Sequence, residues 1–234
     1  MKFQGVVKYV YKQMGRAINE RSLLSGGDKI LVGVSGSAKS LVMLELLFER
    51  QRRVPLHFEI IPCFVQTDPA AGEEHSLRRY LESLGTPCVM RELALAPVDG
   101  DAFWCSWEAR KVIFAAARQF SCNKIALGHD LDDIIETTMM NILFKGSVSA
   151  PRPKIELFGG KLTVIRPLCY VEHKSIQECY AQCSFPCASR DHLCKTNSTR
   201  GRMREILNDV LIQYPFIKTN IFRSLDRIRG DYTL

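Results

Sequence analysis

The chain has 234 residues, 46% of them hydrophobic and 24% charged, with a formal net charge of +7. That length suits one sizeable α/β domain with a small extension, and the composition is that of an ordinary folded domain. The apolar runs are too short to cross a bilayer and the N-terminus lacks a signal-peptide pattern, so a cytoplasmic protein with no membrane partner is expected.

Val6, Val7, Val10, Met14 and Ile18 recur at helical spacing and predict a leading amphipathic helix within residues 1–24. A Ser25-Gly26-Gly27-Asp28 turn leads into Lys29 to Val34, a continuous apolar run typical of a strand buried on both faces. A Ser/Gly loop and an apolar helix from Leu41 to Phe48 follow, so the order is strand, tight loop, helix. The pattern then repeats. Strands are predicted at Phe58 to Val65, Thr86 to Leu93 and Lys124 to Gly128, with helices at Glu73 to Gly85, Trp104 to Phe120 and Leu131 to Phe144. Such alternation predicts an α/β fold with a doubly wound, mainly parallel sheet. Lys145-Gly146, Pro151-Arg152-Pro153 and Gly159-Gly160 read as an irregular break before a last strand at Leu162 to Arg166. The expected organisation is a helix over 1–24, a nucleotide-binding domain over 25–168 and a helical, Cys- and Arg-rich extension over 169–234.

The positive balance suits a polyanionic partner, because basic groups that neutralise phosphates release condensed counterions. Basic residues densify late, at Arg200, Arg202, Arg204, Lys218, Arg223, Arg227 and Arg229. Scattered solubilising charge is the plain alternative. Nine cysteines in an intracellular setting read as thiols, and five of them fall between 169 and 194. Most would serve as small apolar residues.

Two segments carry chemistry. Ser35-Gly36-Ser37-Ala38-Lys39-Ser40 lies between a buried strand and a helix. Small residues let the backbone approach a ligand, and the helix N-terminus offers free N–H groups and a positive dipole end to phosphate. The loop has neither Walker nor dinucleotide spacing, and a plain helix cap looks similar. The second segment, Leu127-Gly128-His129-Asp130-Leu131-Asp132-Asp133, also ends a strand and enters a helix. First-turn carboxylates are ordinary there, but at the carboxyl edge of the same sheet Asp132 or Asp133 could hold a metal ion that bridges phosphates. His129 reads as either a structural histidine or a phosphate contact.

These segments, in this order, resemble the PP-loop ATP pyrophosphatases of adenine nucleotide alpha hydrolase type, whose motifs read Ser-Gly-Gly-x-Asp-Ser and Leu-Gly-His-x-x-Asp-Asp. The tRNA 2-thiocytidine synthetase branch is the nearer match. Supporting segments are Gly27-Asp28-Lys29-Ile30, Lys124 to His129, Asn141 with Phe144-Lys145-Gly146, Pro151 to Lys154, and Ile165-Arg166-Pro167-Leu168. The resemblance runs from about residue 25 to about residue 225. It implies a Rossmann-like fold and ATP with Mg2+ held by Ser35, Gly36, Ser37, Ala38, Lys39, Ser40, Gly128 and His129. Asp132 and Asp133 would be the catalytic carboxylates. The implied reaction adenylates a tRNA cytidine and then transfers sulfur, with a [4Fe–4S] cluster on three cysteines. The sulfur donor and the oligomeric state, a homodimer included, stay open.

The sequence departs from that pattern twice. Ser37 replaces the second glycine of the loop, and Lys39 stands where the family has aspartate. An ammonium cannot ligate magnesium but can attract phosphate as a point charge. The paired cluster cysteines align with Ala102 and Cys105, so only Cys105 and Cys194 match, with Cys187, Cys183 or Cys122 available as a third ligand. Two functions therefore stand side by side: a divergent tRNA sulfurtransferase, and a relative that binds nucleotide or RNA without turnover. A zinc site on Cys183, Cys187 and Cys194 fits no standard paired-ligand spacing.

Overall fold

A computed structural model describes residues 3–66, 74–92, 102–183, 185 and 199–227. In chain order the elements are α1 (Gly5–Glu20), β1 (Lys29–Val34), α2 (Ala38–Arg53), β2 (Glu59–Gln66), α3 (Glu74–Ser83), β3 (Val89–Glu92), α4 (Ala102–Gln119), β4 (Lys124–Ala126) and α5 (Leu131–Lys145). They are followed by β5 (Lys154–Leu157), β6 (Leu162–Ile165), α6 (His173–Cys183), α7 (Thr199–Gln213) and α8 (Ile217–Arg227).

The six strands lie in the order β3-β2-β1-β4-β6-β5, all parallel except β5, which runs antiparallel to β6. Strand alternation divides the core in two. Ile30, Val32 and Val34 of β1, with Ile60 and Phe64 of β2, face α1, α2, α3 and α6. Leu31, Ile61, Cys63 and Val65 face the opposite way, against Ala116 and Ala117 of α4. Burial on both faces explains why β1 is apolar throughout, as parallel strands covered by helices require. Each fully buried Leu or Ile contributes about 1.5–3 kcal/mol, so this double core dominates the stability.

β5 was not foreseen. Pro151 and Pro153 precede it, and Lys154-Ile155-Glu156-Leu157 is only partly buried, as an edge strand should be. The turn to β6 places Phe158, Gly159 and Gly160 at φ of 54°, 67° and 84°, a left-handed run that two glycines make accessible. At the amino ends of the strands Asp28 forms a buried clamp. Its carboxylate is 2.8 Å from Lys124 Nζ, and accepts hydrogen bonds from Asn123 Nδ2 and from the Ser25 amide. Lys124 also donates to the Leu23 carbonyl. The turn before β1 is thereby fixed to the start of β4, and the two strands are aligned so that their carboxyl ends finish side by side.

Candidate functional site

Between β1 and β4 the strand order reverses direction, the place where open α/β sheets bind ligands. Both predicted segments meet there. The β1–α2 turn passes through Gly36 at φ 80°, and Ser37 caps α2 by accepting a hydrogen bond from the Ser40 amide. The hydroxyls of Ser35, Ser37 and Ser40 cluster within 3.0–3.4 Å of one another. Ser40 Oγ also donates to the Ser37 carbonyl. The turn is compact and holds its hydroxyls together at the rim.

Gly128 packs on the first turn of α2. A side chain there would lie 3.3 Å from Lys39 C and Ser40 N, both backbone atoms, so glycine is favoured by close approach and not by its dihedral angles. His129 follows and is half-buried, its Nδ1 shielded from solvent and unpartnered among the described residues. Burial, reinforced by the nearby cations Arg166, Lys39 and Arg110, pushes its pKa down to about 3, so the imidazole is neutral at physiological pH.

Asp130 and Asp133 close a capping box on α5: the Asp133 amide donates to Asp130 Oδ1 at 2.8 Å, and the Asp130 amide donates to Asp133 Oδ2 at 3.1 Å. Lys39 reaches across from α2. Its Nζ lies 2.9 and 2.8 Å from the two Asp133 oxygens and 3.6 Å from Asp130 Oδ2. Arg200 of α7 approaches Asp133 Oδ1 at 3.5 Å. Burial alone would push the Asp133 carboxyl up, but the Lys39 ammonium overrides it and holds the pKa at about 2. Burial does raise Asp130. Its Oδ2 is 3.1 Å from His173 Nδ1, and that hydrogen bond raises the pKa of His173.

Asp132 points elsewhere. It accepts a hydrogen bond from the His173 amide at 2.6 Å and pairs with Lys218 of α8 at 2.8 Å. One turn on, Glu136 pairs with Arg204 of α7 at 2.6 Å. A groove of about 240 Å³ on this outer side of α5 is lined by Asp132, Glu136, His173, Arg204, Leu207 and Lys218. The structure thus unites Ser35 to Ser40 with Gly128, His129 and Asp133, and sets Asp132 on another face of the helix. His173 joins the site without having been foreseen, since a single histidine 43 residues from its carboxylate leaves no trace in sequence. Arg200, Arg204 and Lys218, expected as part of a basic tail, pair with the acids of α5.

The group implied at Asp133 is magnesium, which takes oxygen ligands at about 2.0–2.1 Å in octahedral array. An ammonium 2.8 Å from one carboxylate oxygen and 2.9 Å from the other occupies that space, so the residues present do not fit a metal ion there. Most of the expected cluster ligands lie outside the described residues. Cys105 is in α4 with its side chain outside the described residues, and Cys187 and Cys194 lie outside them altogether. Cys122 sits at the amino end of β4, on the rim opposite the serine loop, and Cys183 is 3.9 Å from Cys179 against the core that α6 covers. Among the described residues no three Cys, His, Asp or Glu side chains are spaced to hold a metal.

A family model described as a PP-loop domain matches residues 7–211. A tRNA-cytidine(32) 2-sulfurtransferase of Geotalea daltonii is 31% identical, over 97% of this chain and 94% of its own. One of Polynucleobacter asymbioticus is 33% identical, over 94% of this chain and 76% of its own. In three dimensions the U34-tRNA thiolase NcsA from Methanococcus maripaludis, solved with its [4Fe–4S] cluster, superposes with a TM-score of 0.76 at 20% identity, covering 96% of this chain and 80% of that one. With a family model over most of its length and relatives above 30% identity along nearly all of it, the chain belongs to the PP-loop family, on the branch of the tRNA-cytidine(32) 2-sulfurtransferases.

Proposed function

We propose that this protein binds ATP at the β1–α2 turn and acts on tRNA in the manner of the tRNA-cytidine 2-sulfurtransferases it is related to. The observation that carries the proposal is the meeting of the two motif segments at the switch point, with the Gly128 backbone against the Ser40 amide. In this reading the phosphates sit at the first turn of α2, held by the positive end of the helix dipole and by the hydroxyls of Ser35 and Ser37. Neutral His129 offers a hydrogen bond without adding charge. The cytidine carbonyl oxygen attacks the α-phosphate, and pyrophosphate leaves. Sulfur from a donor then displaces AMP from the base. The contribution of the fold is to position and neutralise phosphates, which carries most of the work in such transfers.

A second reading, binding of nucleotide or RNA without turnover, is favoured by one observation: the Lys39–Asp133 pair occupies the place of the expected metal ion. One experiment separates the two. Purified protein is given ATP, unmodified tRNA and a sulfide source; pyrophosphate release is followed, and digested tRNA is analysed for 2-thiocytidine by mass spectrometry. tRNA-stimulated pyrophosphate release with thiolated product is expected. Binding of ATP or tRNA, followed by calorimetry, without release assigns the second reading, and absence of binding to either overturns both.

A further inference from the structure

The acids at the start of α5 all have cations of this chain beside them. Asp133 is gripped by Lys39 through both oxygens and approached by Arg200. Asp130 has Lys39 and His173, Asp132 has Lys218, and Glu136 has Arg204. The Lys39 side chain is 20% exposed and those of Asp130 and Asp133 are 1% and 7% exposed, so this neutralisation takes place away from bulk water. There, charges act on each other far more strongly than at the surface.

We infer that Lys39 is a resident counter-charge, and that the nucleotide site takes polyphosphate without a divalent cation. The inference rests on the ATP-binding reading above. A polyphosphate seated on the α2 N-terminus approaches the Asp133 carboxylate. Left bare, that carboxylate would repel it, and a divalent ion is one way to prevent this. Lys39 is another. It rises from the first turn of α2, within the phosphate-facing loop, and points its ammonium into the space between the two junctions. Being tethered to the backbone, it is always present at high effective concentration, so a dissolved ion would have to displace it from both oxygens of Asp133. An ammonium has no lone pair to complete a metal's coordination and cannot share the site. Its positive charge next to the incoming phosphates remains.

The test is calorimetric titration of the intact protein with ATP, and separately with inorganic pyrophosphate, once in excess EDTA and once in millimolar magnesium. Affinities within about twofold of each other in the two buffers are expected. The charge-reversed variant Lys39→Asp places three carboxylates together and is expected to bind ATP only with magnesium, weakening about tenfold or more in EDTA, the loss of one charge-assisted contact. Lys39→Met, which has neither charge, is expected to bind weakly in both buffers. Manganese titrated into the protein without nucleotide and followed by electron paramagnetic resonance should stay free with wild type and become bound with Lys39→Asp. Wild-type binding that disappears in EDTA overturns this inference and leaves the ATP-binding reading standing; absence of binding in both buffers overturns the two together. Should Lys39→Asp not fold, the two wild-type titrations and the manganese spectrum of the wild type still decide.

Discussion

The two strand-to-helix junctions at the centre of the sheet use one local device for opposite chemistry. At β1–α2 a serine caps the helix, and the neighbouring side chains are hydroxyls and an ammonium. At β4–α5 an aspartate caps the helix, and the neighbours are carboxylates and a neutral imidazole. Each helix N-terminus has the same first-turn amide donors to place and the same positive dipole end. At α5 the amides of Asp130 and Asp133 are answered from within by the capping box, and its two carboxylates are met by side chains from α2, α6 and α7. At α2 the cap is a neutral hydroxyl, and Ser35 is exposed. The cap of the first junction therefore brings no negative charge to meet an anion, while the second is capped by carboxylates. What distinguishes a binding site from a buried joint here is the charge of a few side chains, not backbone geometry.

This contrast can be broken from either side. The largest effect is expected for Asp130→Ala, which removes a buried cap and the partner of His173; loss of about 3 kcal/mol in urea denaturation is expected, because the Asp133 amide and the His173 ring lose their acceptor at a fully buried position. Next comes Gly128→Ala. Its methyl group would press on the backbone of the first turn of α2, so about 1–2 kcal/mol of stability and most of the ATP affinity should be lost together, by denaturation and calorimetry on the same sample. The smallest effect is expected for Ser37→Ala, which removes a partly exposed cap and should cost about 1 kcal/mol, with Ser37→Gly closer to wild type. Equal losses from Asp130→Ala and Ser37→Ala would contradict the difference in burial on which the comparison stands.

Much of the fold was legible because its strands are apolar on both faces. Lys29 to Val34 and the Phe58 to Val65 segment announce a parallel core through composition alone. β5 was not, since a half-buried edge strand between prolines and glycines carries no strong period. The serine loop and the Gly128–Asp133 segment were legible as local patterns placed after strands. Their joining by Lys39 was not, because the ammonium and its carboxylate are 94 residues apart and the sequence shows only that each is charged. The late arginines show the same limit from the other side. Their density suggested contact with nucleic acid, yet Arg200, Arg204 and Lys218 are engaged with Asp133, Glu136 and Asp132, and only the fold could reveal a partner so far upstream.

Those late cations also have a bearing on biosynthesis. α5 leaves the ribosome with its acids in place before the helices that answer Asp132 and Glu136 have been translated, since the arginine facing Glu136 arrives 68 residues later. A nascent chain ending near residue 190 carries an acidic helix without those counterparts, so the first part of the molecule reaches its final electrostatic balance only when its last two helices have emerged.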